Sequence, residues 1–282
     1  MKNAVLILFL LLSFSFAQAD EEDGLPPKED NSGDKTLEVP EAPPKRNYDA
    51  LAISEYQQTY FITGEPDTKI QVSFQFRLFK EYALYFGYTQ RMFWELFREE
   101  SSPFSDVNFM PDLFYRFDTE SWKYVQNIET GYLHMSNGQS EPESRTVDTI
   151  FARFIWRGKF FTSLNTKYYF NKEKANRDFT KYVGPFELQL QLKDILKILY
   201  APQDFYARVY TGGDWGEDLG KTSVELGLRY RFFGSDSSPG IFMQYFRGYG
   251  EKILNYNILE ESYRVGFSVG GDYRVEEQSE KR

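Results

Sequence analysis

Apolar and polar residues alternate one by one along much of this chain. Ile70, Val72, Phe74, Phe76 and Leu78 are separated by Gln71, Ser73, Gln75 and Arg77. Leu188, Leu190 and Leu192 alternate with Glu187, Gln189, Gln191 and Lys193, and Val224, Leu226, Leu228 and Tyr230 with Ser223, Glu225, Gly227, Arg229 and Arg231. A period of two is the mark of a strand with one apolar and one polar face. From about Tyr56 onward the pattern predicts about 12 strands, an even number as bacterial barrels prefer. Their centres fall near residues 60, 74, 89, 113, 129, 152, 165, 188, 208, 227, 244 and 267. Turn-rich breaks separate them, among them Ser101-Ser102-Pro103, Asn137-Gly138, Asn171-Lys172-Glu173 and Gly234-Ser235-Asp236. The polar face carries Arg, Glu, Gln and Lys in strand after strand, which suits a lumen lined with ion pairs. The expected fold is all-β: a transmembrane, antiparallel, 12-stranded β-barrel, closed because an open sheet edge in lipid leaves backbone groups unsatisfied.

Composition sharpens this picture. Phe (27), Tyr (21) and Trp (4) make up 18% of the 282 residues, yet mean hydropathy is −0.55. A chain that is polar on average but rich in aromatics fits a barrel with aromatic girdles at both interfaces. Residues 1–19 read as an export signal: Lys2, an apolar core from Ala4 to Phe16, and the small-x-small site Ala17-Gln18-Ala19. That core is too short to span a bilayer, which takes about 20 residues, and no other apolar stretch reaches that length. Residues 20–48 are acidic and proline-rich, with few large apolar groups to offset ordering entropy. They are expected to form a disordered periplasmic extension, with an acidic docking tail as the alternative. The barrel then occupies 49–275, its last strand at Tyr263–Tyr273, and 276–282 is a charged tail. Such barrels usually end in an aromatic residue that assists insertion, so here the assembly signal is expected to be internal. The net charge of −9 argues against a nucleic-acid partner, and the absence of cysteine excludes disulfides and thiolate metal sites.

Chemistry concentrates around the single histidine. In Gly131-Tyr132-Leu133-His134-Met135-Ser136-Asn137-Gly138, His134 and Ser136 are two apart and so share one strand face. Their Cα atoms are then roughly 6.6–6.8 Å apart, close enough for imidazole and hydroxyl to lean together. The plainer alternative is a polar strand end entering a turn. Parity bears on the choice. Tyr124, Ile128, Tyr132, His134 and Ser136 share one face, and Asn127, Glu129 and Gly131 the other. In the next strand Asp148 has the parity of Ile150, Ala152, Phe154 and Trp156. The apolar faces meet lipid, where ionisable groups are costly and need a reason. A Ser/His/Asp set on adjacent strands therefore faces the acyl chains near one rim. Gln90 likewise shares the outward parity of Leu84, Phe86, Tyr88, Met92 and Trp94. An amide there is satisfied either by a copy of itself across a dimer or by water at headgroup level. Gly-x-Ser-x-Gly, phosphate-loop, dinucleotide-binding and zinc-helix patterns are absent.

Several ordered blocks carry a family resemblance: Tyr88-Thr89-Gln90 through Trp94, Glu99-Glu100-Ser101-Ser102-Pro103-Phe104, and His134-x-Ser136-Asn137-Gly138 through Ser144-Arg145. Weaker blocks are Thr180-Lys181-Tyr182-Val183-Gly184 and Tyr249-Gly250-Glu251 through Tyr256-Asn257. In these the chain resembles the outer membrane phospholipase A family of Gram-negative bacteria. The resemblance implies a calcium-dependent serine esterase of the phospholipase A1/A2 and lysophospholipase class, residing in the outer membrane and active as a homodimer. Ser136 matches the nucleophile, His134 the general base and Asp148 the third triad member, where the best-known members have asparagine. Gly138 N–H matches an oxyanion donor. The matching calcium ligands are the Gln139 carbonyl, Glu141, Ser144 and Ser101, the last from the partner subunit. The family commonly has aspartate where Glu141 stands, and on its own Glu141-Pro142-Glu143-Ser144 also reads as a plain acidic loop. Gln90 and Trp94 match dimer and substrate contacts. The rival readings are an inactive porin-like or structural barrel and a soluble secreted β-protein.

Overall fold

The alternating segments form the strands they predict. The computed structural model describes residues 50–270, except 98–102, 120, 121, 123, 157–160, 194–202 and 236. The expected export signal, acidic extension, charged tail and Ser101 lie outside the described residues. Thirteen strand segments follow in chain order: β1 (Ile53–Glu55), β2 (Thr59–Glu65), β3 (Thr68–Arg77), β4 (Leu84–Trp94), β5 (Phe104–Asp118), β6 (Val125–Ser136), β7 (Thr146–Trp156), β8 (Phe161–Lys172), β9 (Phe186–Lys193), β10 (Gln203–Tyr210), β11 (Ser223–Arg231), β12 (Gly240–Gly248) and β13 (Glu260–Val269). Each pairs antiparallel with its neighbour, and β13 pairs with β2 to close the sheet. Segments β1 and β2 both pair with β3, at Ile53↔Phe76 and Tyr60↔Gln71. They are two halves of one stave, so the barrel has twelve, as the pattern requires.

The break in that first stave has a physical cause. Tyr56 turns into the barrel, 2% exposed, and its hydroxyl donates to Asp112 Oδ2 at 2.5 Å. Gly87 leaves the room: a Cβ there would lie 2.0 Å from Asp112 Oδ1 and 2.8 Å from Tyr56 Cε1. Two other expectations shift. The last strand begins at Glu260, three residues before Tyr263, and its expected end lies outside the described residues. Asn171 and Lys172, expected in a turn, instead continue β8.

Parity holds around the barrel. Val72, Leu113, Ile150, Val265 and Phe267 face outward, whereas Gln71, Glu129, Arg153, Glu225 and Arg264 are buried inside. Among the described residues most of the buried charges form ion pairs, and Asp106 and Asp112 have hydrogen-bond partners, as burial of charge demands. Glu129 accepts from Arg116 Nε at 2.7 Å and Arg153 at 2.5 Å, and Glu225 accepts from Arg208 at 3.0 Å. Glu251 joins Lys69 (3.0 Å) to Arg264 (2.7 Å), and Arg264 also meets Asp67 at 2.7 Å. A cavity of about 130 Å³ is left in the lumen, lined by groups such as Arg91, Asp112, Glu187 and Arg208.

Connections at the end where β6 stops and β7 starts are mostly the longer ones: 137–145, 173–185, 211–222 and 249–259. Barrels of this type carry their longer loops on the outer side. Loop 249–259 folds into that mouth. Ile253 and Tyr256 are buried against Phe179 and Val147, with Met135 packed on the same cluster. Leu254 N–H donates to Asp106 Oδ2 at 3.0 Å, and Tyr256 O–H donates to Asp178. The cluster grips Met135 and Val147, the inward neighbours of His134, Ser136 and Asp148.

Candidate active site

Alternation turns the neighbours of Met135 and Val147 outward. His134 and Asp148 are direct cross-strand partners on β6 and β7, and Ser136 opposes Thr146 one step nearer the rim. His134 Nδ1 lies 2.7 Å from Asp148 Oδ1. An ionised carboxylate only accepts hydrogen bonds, so Nδ1 donates; in the neutral imidazole Nε2 is then the acceptor. The His134 side chain is 37% exposed and that of Asp148 11%: the imidazole is reachable from outside and its anchor is covered. An imidazole held this way can take a proton from a neighbouring hydroxyl. Among the described residues, no hydrogen bond joins Ser136 Oγ to His134.

Two residues that the sequence did not single out complete the surroundings of Asp148. Tyr132 O–H donates to Asp148 Oδ1 at 2.7 Å, and Asn171 Nδ2 donates to Oδ2 at 2.6 Å. Tyr132 was legible in principle, since it shares the parity of His134. Asn171 was not. Asp148 pairs with Asn171 but Thr149 with Tyr169, so β8 holds one extra residue. That bulge carries Asn171 to the outer face, opposite Asp148.

Beyond Ser136 the chain turns through 137–145. Asn137, 2% exposed, ties this loop together: its Nδ2 donates to the Glu143 carbonyl (2.8 Å) and its Oδ1 accepts from Arg145 N (2.9 Å). Gly138 adopts φ +66°, the left-handed region that glycine enters freely. Its N–H has no partner among the described residues. Gln139 and Glu141 are exposed in the same loop. Ser144 Oγ donates to Glu173 Oε2 at 2.8 Å, bringing in a carboxylate that the sequence did not flag.

Gln90 lies in the same cross-strand row as Ser136, with Phe109 between them, so about two strand spacings of 4.7–4.9 Å separate them. Its outward parity is as expected, but its oxygen is not unpartnered: Tyr88 O–H donates to Gln90 Oε1 at 2.9 Å. Trp94 stacks on Phe104 with centroids 5.4 Å apart.

Residues 42–269, most of the chain, match the model of the phospholipase A1 family. The chain belongs to that family, the outer membrane phospholipases A. The phospholipase A1 of Escherichia coli strain K12 is 30% identical over 231 residues, covering 78% of this chain and 74% of its own length. Among solved structures, the outer membrane phospholipase A from Escherichia coli has the same fold, with a TM-score of 0.69 and 24% identity over 83% of this chain and 95% of that one. A Salmonella typhi outer membrane phospholipase dimer with bound calcium has a TM-score of 0.67 and 23% identity, over 79% of this chain and 94% of that one. As a member of this family with an outward apolar wall, the chain is a β-barrel of the bacterial outer membrane.

Proposed function

We propose that this barrel hydrolyses acyl esters of phospholipids, and of lysophospholipids, through Ser136, His134 and Asp148 on its lipid-facing wall. The observation that carries this assignment is the 2.7 Å contact between His134 Nδ1 and Asp148, on a face where polar groups have no use in a pore. Ser136 Oγ attacks the ester carbonyl carbon as its proton passes to His134 Nε2. The Gly138 N–H, unpartnered among the described residues, donates to the oxyanion. When the tetrahedral adduct collapses, the ester C–O bond breaks and His134 returns the proton to the departing glycerol oxygen. Water then attacks the acyl-serine, losing a proton to His134; the acyl C–O bond to Ser136 breaks, His134 returns that proton to Ser136 Oγ, and the fatty acid leaves.

The loop fits a hard cation. The candidate ligand atoms are all oxygens, and among the described residues no group of three His, Cys, Asp or Glu side chains is placed to hold a metal ion. A cation here would therefore draw on carbonyl and hydroxyl groups as well as carboxylates, as calcium does. The Gln139 carbonyl, Glu141 and Ser144 would hold it, with Ser101 contributed by a second copy of the chain. Bound calcium would supply positive charge beside the oxyanion. A second copy would pack on the Gln90 and Trp94 face, two strands from Ser136, so that dimerisation completes the site. The same reading takes 1–19 as a cleaved signal, 20–48 as a solvated extension, 49–275 as the barrel and 276–282 as a charged tail.

Fatty-acid release from mixed phospholipid micelles tests this. Release is expected with calcium, is abolished by a chelator and returns on adding calcium back. Glu141→Ala is expected to raise the calcium concentration for half-maximal rate by about tenfold. An unchanged requirement would remove Glu141 from the ligand set. No release from the folded chain at any calcium level would reject hydrolysis. The porin-like alternative meets a lumen crossed by ion pairs, with loop 249–259 packed into its mouth. In a planar bilayer the refolded chain is expected to show no steady conductance; stable porin-like steps would revive that alternative.

A further inference from the structure

A carboxylate on the lipid-facing side of a barrel is unfavourable unless its lone pairs are occupied. Asp148 has about four such sites, and three carry strong donors: Tyr132 O–H and His134 Nδ1 on Oδ1, and Asn171 Nδ2 on Oδ2. The three donors come from two different strands. Tyr132 precedes His134 by two residues on β6 and reaches Asp148 diagonally, since its direct partner is Ile150. Asn171 reaches across from β8 only because of the bulge at Asp148/Thr149. An acid held by donors on both oxygens cannot rotate about its terminal bond without losing a charge-assisted hydrogen bond.

We propose that Tyr132 and Asn171 are positioning residues of the hydrolytic site. Together they hold the Asp148 carboxylate in the orientation that keeps the proton on His134 Nδ1 and presents Nε2 to Ser136. This rests on the roles assigned above to Ser136 and His134. It also explains how an anion persists at position 148. Tyr132 neutralises no charge but supplies a donor from a ring that already belongs to the outer aromatic surface, 6.2 Å from Phe170. Among the described residues the side chains of both meet Asp148 and neither hydrogen-bonds Ser136 or His134, so each acts through Asp148.

The test uses the refolded chain in micelles with calcium. Two rates are read: phospholipid turnover, and covalent labelling of Ser136 by a sulfonyl fluoride. Tyr132→Phe keeps the ring and removes one donor; Asn171→Leu keeps the size and removes the other. Each is expected to lower kcat and the labelling rate by about tenfold, with KM within about twofold, as loss of a hydrogen bond to a charged group predicts. The decisive comparison repeats Tyr132→Phe in an Asp148→Asn background. With a neutral amide at 148 the hydroxyl has no anion to hold, so the loss is expected to shrink to about twofold or less, a coupling that a double-mutant cycle isolates. Equal losses in both backgrounds would mean that Tyr132 merely packs, and no loss in either variant would overturn the proposal outright. Ser136→Ala separates the two levels. If it still turns over substrate, the underlying nucleophile assignment fails; if it is inert while Tyr132→Phe and Asn171→Leu match the parent, only the positioning role fails.

Discussion

Ser136→Ala is expected to eliminate fatty-acid release, by about ten-thousand-fold or more, while the barrel remains folded. The magnitude follows from the proposed chemistry: without the hydroxyl no acyl-enzyme would form, and what remained of the site could only bind substrate and polarise its carbonyl. The structure separates this loss from unfolding. Ser136 is half-buried on an outer strand end, and its hydroxyl makes no hydrogen bond among the described residues. Removing one oxygen from such a position changes stability by less than about 0.5 kcal/mol. The measurement pairs two assays on one preparation: titrated fatty acid from micelles, and the shift between folded and heat-denatured bands on a gel. Loss of release with an unchanged folded band is the expected result. Retained release would transfer the nucleophile's role away from Ser136, and His134 would lose its reason for sitting there.

Glu251→Leu is expected to cost about 3–5 kcal/mol of stability, the usual cost of removing one partner from a buried ion-pair network. Glu251 comes from loop 249–259, yet its side chain is 2% exposed and meets Lys69 and Arg264 at 3.0 and 2.7 Å. Arg264 retains Asp67, and Lys69 retains Gln244 and, at 3.7 Å, Glu225, but the shared anion that joins the two cations is lost. Urea unfolding followed by tryptophan fluorescence would read the loss. Its dependence on pH has a definite sign. Burial pushes the Glu251 carboxyl up, but Lys69 and Arg264 outweigh it and bring the pKa down to about 2. A carboxylate depressed in the folded state stabilises fully above its unfolded value, about 4.3, and loses that effect as pH falls toward the folded value. The gap between parent and Glu251→Leu should therefore stay constant from neutral pH to about 5 and shrink below about 4. A gap that closes already near neutral pH would mean that Glu251 is not held as an anion by these two cations.

The twelve staves, their facing and the pairing of His134 with Asp148 were all legible in the chain, because each rests on a short-range rule. A strand sends residues i and i+2 to one face, lipid and lumen sort those faces by polarity, and a hairpin brings β6 against β7 across few residues. The pair His134–Asp148 is only 14 residues apart. The sequence also marked Gln90 as an outward amide, but not the Tyr88 hydroxyl that meets it. What escaped depended on register. The inward turn of Tyr56 answers to Asp112, 56 residues away. Asn171 looks like a turn residue until the extra residue in β8 carries it opposite Asp148. Glu251 reads as one acid in a loop motif until closure of the barrel brings Lys69, 182 residues distant, against it. Local alternation thus determined by itself which face each residue of the regular strand runs takes and where His134, Ser136 and Asp148 lie. Only the closed sheet decided which distant donors satisfy buried or lipid-facing charges, because the drive to pair them is strong but carries no trace in neighbouring residues.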